Sequence, residues 1–308
     1  MSHVLVPDLI LPALIADALC LGPHWLYDQA EIARLYPQGV TGYDAPHSRY
    51  HPGKGAGWFT HYGDQTLALL RSVHSRGGFK MEGWREDWSR FWAGNTVSYR
   101  DGATRQTLDH LAHGSSAPSG SHDLGGASRI APILAFHHAD PLALRVQAAR
   151  EQTALTHGDA AVQDAAAFFV HWVDGIARGL SLPDALPQAA AGEYAALDAA
   201  RVLAAAEAAM SLEPSAAGRA LGLSCAVMEA LPLTVWLALR FADQPRAALA
   251  TNALIGGDSA ARGLLLGLVM GAAHGLVWLP PAWTDGLNAR QELESLLNLP
   301  LPREILLA

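Results

Sequence analysis

Two aspartates stand out for the chemistry their surroundings allow. Asp64 lies in the run Thr60-His61-Tyr62-Gly63-Asp64-Gln65-Thr66, and Asp258 in Gly256-Gly257-Asp258-Ser259-Ala260-Ala261-Arg262. Each stands just before a helical pattern. A helix N-terminus offers free N–H groups and a partial positive charge, so it holds anions or anchors acidic side chains. Two such ends facing each other make a polar pocket in which a carboxylate can activate water. Capping alone is the plainer reading, since aspartate at a helix start contributes about 1 kcal/mol with no catalytic role. The company these two keep favours more. Gly63 and Gly257 flank them, Arg262 lies one turn beyond Asp258 on the same face, and His61, Tyr62, Gln65 and Ser259 add polar groups beside the same turns. Arg262 is placed to act as a clamp for a phosphate or an oxyanion.

Helices must position these residues. Asp8 precedes the apolar run Leu9 to Leu21, which Gly22-Pro23 stops, and Asp64 precedes Gln65 to Ser75. Asp140 is placed to cap a helix over Pro141 to Leu155, with proline in its first turn, and Asp159 opens another through Val173. Ala-rich helical stretches follow over Asp184 to Met210 and Ser215 to Glu229, then Leu233 to Phe241. Alternating β-branched segments are scarce, so the expected class is all-α. Gly114 to Gly126 is a small, polar stretch that suits a surface loop, and its flanks share one composition, so residues 1–308 read as a single domain. Gly263, Gly267, Gly271 and Gly275 recur every four residues, on one stripe of a helix. Each weakens a helix by roughly 1 kcal/mol relative to alanine. Something must therefore approach that stripe closely, which puts this helix at the centre of the bundle with Gly256–Ser259 held rigidly at its start.

Composition narrows the function classes. With 308 residues, half of them hydrophobic, the chain can bury a large core. A net charge of -8 without clustered Lys and Arg excludes a dedicated nucleic-acid surface, while leaving room for a small anionic ligand. Two isolated cysteines, Cys20 and Cys225, form no disulfide framework and read as core filler. The N-terminus has no charged stretch of the secretory kind, so a cytoplasmic location is expected. The uncharged run Gly263 to Leu279 falls short of the about 20 apolar residues of a membrane span and contains His274, so a buried helix is expected instead and no membrane is assigned. Oligomeric state is not legible.

Other residues carry mostly structural readings. His51-Pro52-Gly53-Lys54-Gly55 lacks the spacing of a phosphate-binding loop, and is expected to be a loop that covers the ligand, with Lys54 contacting phosphate as the sharper alternative. The fourteen histidines show no zinc-like spacing, and His137-His138 suits a helix surface. Trp84, Trp88 and Trp92, four apart, read first as a packed helix face. His157 reads as a hydrogen-bonding residue, Arg129 as a buried structural cation and Asp17 as a cap or supporting residue.

Several blocks together resemble the ADP-ribosylglycohydrolase family, which includes the dinitrogenase reductase-activating glycohydrolases. Ala16-Asp17-Ala18-Leu19 is similar to its GDALG turn, and Gly63-Asp64-Gln65-Thr66 stands where it has TDDT. Gly126 to Pro132 resembles its NGxxMRxxP block, Ala154 to Asp159 its LTH block, and Glu229 to Pro232 its E-x-hydrophobic-P block. Gly256-Gly257-Asp258-Ser259, followed by the glycine stripe, resembles GGDTDT. The resemblance implies a compact orthogonal helical bundle with a cleft at helix ends, glycosidic cleavage at an ADP-ribosyl or related ribosyl or nucleotide compound, and a ligand site drawing on Gly126 as well. Family members typically bind two Mg²⁺ through TDDT and DTDT. Here Gly63, Gln65, Ala260 and Ala261 replace ligands of those motifs, leaving Asp64 and Asp258 as acids. Mg²⁺ demands near-octahedral oxygen ligation, and two carboxylates cannot balance two divalent ions. The expectation is therefore a hydrolase using Asp64 and Asp258 with no cofactor, or at most one weakly held Mg²⁺ bridging them. The competing expectation is an inactive member that binds an ADP-ribose-like ligand or has a structural role.

Overall fold

Residues 6–95 and 97–298 are described in the computed structural model, and among them helices follow one another with no strand. The first half holds α1 (Val6–Cys20), α2 (Gln29–Leu35), α3 (His61–Arg76), α4 (Met81–Gly94) and α5 (Gly102–Ala112). A buried 3₁₀ turn, Leu124–Arg129, leads into α6 (Ala131–Phe136), α7 (Leu142–Ala154) and α8 (Ala160–Ala177). Then come α9 (Leu186–Ala190), α10 (Ala199–Ala208), α11 (Pro214–Leu221), α12 (Val227–Arg240), α13 (Pro245–Ile255) and α14 (Ser259–His274). Short helices α15 (Pro281–Asp285) and α16 (Arg290–Leu297) complete the described chain.

The glycine stripe explains the centre. α14 is buried from Ser259 to Ala272, and α1 from Pro7 to Cys20. Their backbones touch: a methyl group on Gly267 would overlap the carbonyl of Pro12, and one on Gly271 would overlap the carbonyl of Asp8. At Gly263 an added methyl would stand 3.1 Å from the carbonyl oxygen of Ala16. Pro12 has no N–H to give the carbonyl four residues back, that of Asp8, and it is this carbonyl that Gly271 packs against. Gly275 lies outside the stripe proper. It ends α14 with φ +64°, its N–H reaching the Gly271 carbonyl at 2.9 Å.

Several expected boundaries shift for local reasons. α3 begins at His61 with Thr60 as its cap, so Asp64 sits at the end of the first turn and not before it. Asp8 lies inside α1. Pro141, not Asp140, precedes α7, because the Asp140 carboxylate is held 2.6 Å from His137 Nδ1. The His137 ring is no surface group either, since its Nε2 accepts from the Phe79 N–H at 2.8 Å. The stretch expected as one helix over Asp184 to Met210 breaks into α9 and α10, and Ser215 to Glu229 breaks at Gly222, where φ is +101°. The polar loop is exposed over its first half, but Leu124 to Arg129 is buried. Trp84, Trp88 and Trp92 form the expected packed face and are wholly buried. Among the described residues, no helix is long and apolar enough to cross a membrane.

Candidate functional site

The start of α3 is fixed by α1. The Asp17 carboxylate accepts from Thr60 N at 2.7 Å, Thr60 Oγ1 at 2.6 Å and Gly63 N at 3.1 Å, satisfying donors that a helix N-terminus leaves open. Any side chain at position 63 would collide with that carboxylate. Asp17 is thus the cap that the sequence reading assigned, supplied from another helix. The start of α14 is fixed by the segment that follows α1 and by Leu223, just after α11. Gly257 N donates to Leu26 O at 2.7 Å, Trp25 N to Gly257 O at 2.9 Å, and Asp258 N to Leu223 O at 3.0 Å. Gly256 and Gly257 take φ of +75° and +64°, which only glycine adopts without strain. Trp25 is itself left-handed at φ +63°, a conformation that costs of order 1–3 kcal/mol for such a residue. Its indole Nε1 donates to Asp258 Oδ2 at 3.0 Å, and the Tyr62 hydroxyl donates to the same oxygen at 3.0 Å.

These residues border a cleft of about 620 Å³. Its walls are aromatic, from Trp25, Tyr27, Tyr50, Tyr62 and Tyr99, and its acids are Asp101, Asp123 and Asp258, with Cys225 beside them. Asp258 is 1% exposed, and its Oδ1 has no hydrogen-bond partner. Burial raises its pKa above the ordinary 3.8, against the opposing effect of the Trp25 hydrogen bond. Asp123 moves the other way. Burial disfavours its charge, but the His157 ring, 2.9 Å from Oδ1, and the Ser121 hydroxyl outweigh burial and hold its pKa below the usual carboxylate range. Two acids of one cleft are thus set apart by their environments, the pattern of an acid–base pair.

Asp17 gives a testable pH dependence. Burial lifts its pKa from 3.8 to about 7, with the Thr60 hydrogen bonds pulling the other way. The folded protein therefore keeps this proton to higher pH than the unfolded chain does. The stabilisation it brings is complete below the ordinary value and is lost as pH rises toward 7. Melting temperatures of the wild type and Asp17→Asn, measured from pH 4 to 8, should show the wild type losing ground to the variant over that interval. A difference that is flat, or that grows in favour of the wild type, contradicts the assignment.

Only some of the sequence-assigned residues meet at the cleft. Asp258 and Tyr62 line it. Asp64 does not: its Oδ2 is paired with the Lys54 ammonium, which also donates to Phe59 O at 2.5 Å. Lys54 is 6% exposed, its charge directed at Asp64 and not at an open phosphate position. Gln65 is buried, its Oε1 accepting from Trp88 Nε1 at 2.8 Å and Arg129 Nη1 at 3.1 Å. Arg129 also bonds Gln152 and Thr156, so the buried cation answers side-chain oxygens. Arg262 is buried as well, held by Asn252 Oδ1 at 3.2 Å and Gly256 O at 2.6 Å, with Nη1 unpartnered. Gly257 shapes the turn, Ser259 Oγ is buried without a partner, and Gly126 is covered by His157 while its carbonyl accepts from Gln152 Nε2 at 2.8 Å. His61 lies behind the wall, its Nε2 3.3 Å from Asp101 Oδ2.

Sequence reasoning missed Trp25, Tyr27, Tyr50, Tyr99, Asp101 and Asp123. Asp101-Gly102-Ala103-Thr104 carries a legible cap signature, and Asp101 does accept from Thr104 N at 2.6 Å, but nothing local says that this end borders a cleft. Cys225 is a correction: it is half-buried at the cleft and not core filler, unlike Cys20.

The fold and site together define an all-α protein with an acidic, aromatic-walled cleft gathered where helices begin. A family model described as ADP-ribosylglycohydrolase matches residues 8–306, and the chain belongs to that family. A solved structure described as "ADP-ribosylglycohydrolase-related protein complex" is similar to it, with a TM-score of 0.63, 21% sequence identity, and 95% of each chain covered. At that identity the likeness speaks for the fold alone. No curated protein matches the chain.

Proposed function

We propose that the protein hydrolyses a glycosidic bond of an ADP-ribosyl or smaller ribosyl compound in this cleft, without a pair of magnesium ions. The observation that carries the reading is one aromatic-walled cleft holding Asp123 and Asp258, two carboxyls biased toward opposite protonation states. A volume of about 620 Å³ suits a nucleotide-sized ligand, and flat aromatic walls suit a base. In this reading Asp258 gives its proton to the departing group as the bond to C1″ breaks. Asp123 takes a proton from the attacking water, whose oxygen joins C1″ as positive charge develops there. Tyr62 and Trp25 orient Asp258. Asp64, the other acid singled out in the sequence, has no catalytic part here, because its charge is spent on Lys54.

The donor set supports the metal-free part. A dinuclear magnesium centre needs several free carboxylate or hydroxyl oxygens. Only Asp258 Oδ1 and Ser259 Oγ are without partners at these positions: Asp64 faces an ammonium, Gln65 Oε1 already accepts two hydrogen bonds, and Ala260 and Ala261 offer no side-chain oxygen. These residues do not fit the paired ions, nor does a shared single ion suit two aspartates with separate partners. A turnover screen over N-, O- and phospho-linked ADP-ribose and simple ribosides should find a substrate cleaved at the same rate with and without added Mg²⁺. Cleavage that needs Mg²⁺ would refute the metal-free part, and no cleavage of any of them would refute hydrolysis. The second reading, a member that binds such a ligand without turning it over, is favoured by one observation: neither oxygen of Asp258 is open to solvent in this state. Calorimetric binding without turnover is its signature.

A further inference from the structure

Behind the Trp25 wall, three histidines from three separate stretches converge. His24 follows α1, His51 belongs to the loop before α3, and His61 opens α3; all three are fully buried. Each has a ring nitrogen within 4.8 Å of one on each of the others. His24 Nε2 and His51 Nδ1 are buried with no hydrogen-bond partner, and His61 Nε2 has only its 3.3 Å approach to Asp101. The other nitrogens of His51 and His61, Nε2 and Nδ1, have only each other, so the unpartnered atom facing them is His24 Nε2, and a buried polar atom without a partner costs free energy and asks for an occupant.

We infer that His24, His51 and His61 form a binding site for one divalent transition cation of the zinc type. The inference goes beyond the hydrolase reading and does not depend on it. His51 Nε2 and His61 Nδ1 are 3.3 Å apart. With metal–nitrogen bonds of about 2.0–2.1 Å, two ligands on a tetrahedral ion stand about 3.3 Å apart, so this pair already has ligand spacing. His61 turns its other nitrogen to Asp101, the carboxylate–histidine arrangement that fixes the tautomer of a metal ligand. His24 supplies the third nitrogen. Ala260 N–H approaches its Nδ1 at 3.4 Å, a long contact that a ring protonated at Nδ1 and metallated at Nε2 gives up.

Charge and protonation suit the site. Metals take neutral imidazole. Burial keeps His24 neutral far below its ordinary 6.5 and brings His51 down to about 2. The Lys54 ammonium, whose charge disfavours a charged His51, is offset by Asp64. Imidazole favours zinc, cobalt, copper or nickel over magnesium, so this site differs in kind from an oxygen-ligated one. An ion here ties the end of α1, the preceding loop and the start of α3 together. It does so against Trp25, whose ring stacks on His24 with centroids 4.5 Å apart.

The test uses the intact chain, stripped with EDTA and titrated with Co²⁺ and then Zn²⁺. Expected are one equivalent of Co²⁺ with the visible absorption of a low-coordinate nitrogen site, its displacement by Zn²⁺, and a rise in melting temperature with either ion. His51→Gln and His61→Gln should each weaken binding by about 100-fold, the upper end of what losing a metal-site group costs. Asp101→Asn should weaken it by the roughly 10–100-fold typical of an outer partner. Circular dichroism reports whether each variant folds. Absence of stoichiometric uptake by the wild type overturns the inference. So does uptake unchanged in a folded His51→Gln or His61→Gln, since the ion then sits elsewhere. Turnover enters none of these readouts, so failure here leaves the hydrolase reading standing, and the reverse also holds.

Discussion

Asp258→Asn should lower kcat on the substrate found by the turnover screen by about 10²–10⁴-fold, the usual contribution of a positioned acid or base. The asparagine keeps the shape of the side chain and an oxygen for Trp25 Nε1, so the melting temperature should move little, but it has no proton to deliver. The pH profile separates this from a structural effect. Wild-type activity should fall on the alkaline side as Asp258 loses its proton and on the acid side as Asp123 gains one, because burial raises the first group and His157 lowers the second. The variant should lose the alkaline limb. Asp64→Asn, by contrast, should leave kcat nearly intact while lowering stability, since it strands the buried Lys54 ammonium. A folded Asp258→Asn enzyme within about tenfold of wild-type kcat would remove the acid from the scheme.

The second large effect lies far from the cleft. Gly271→Ala should destabilise the fold by about 3 kcal/mol or more, at the upper end of overpacking costs. The added methyl meets the Asp8 carbonyl, which is backbone and cannot rotate away. Alanine's better helix propensity returns only about 1 kcal/mol. Gly263→Ala, where the added atom would stand 3.1 Å from the Ala16 carbonyl, should cost clearly less. Urea denaturation of both variants at fixed pH measures the difference. Equal stabilities would mean that α1 and α14 separate more readily than their backbone contact implies.

The periodic features were the legible ones. The four-residue glycine stripe marked the central helix, the four-residue tryptophan pattern marked the packed face of α4, and the scarcity of alternating strands marked the class, because each is a local repeat with one physical cause. Breaks were harder to read. Ala-rich stretches around α9 to α11 carry helical composition throughout, and tertiary contacts decide where they stop. At the site, Asp258 was readable because two glycines and a helix start mark a rigid turn. Asp64 carried the same local marks, yet Lys54, ten residues earlier, takes its charge. His24, His51 and His61 have no shared spacing, since three segments bring them together, and no zinc-like interval along the chain marks them. Asp123 was hidden for the same reason, its environment depending on His157, 34 residues away.

The close seam between α1 and α14 also bears on how the molecule is made. Cys20 and the Ser259 carbonyl touch across 239 residues of chain, so the oily first helix leaves the ribosome long before its partner exists. Until α14 is synthesised, nothing can cover that surface with the backbone-to-backbone fit the glycines allow. Assembly of the centre is therefore a late event in the making of the chain.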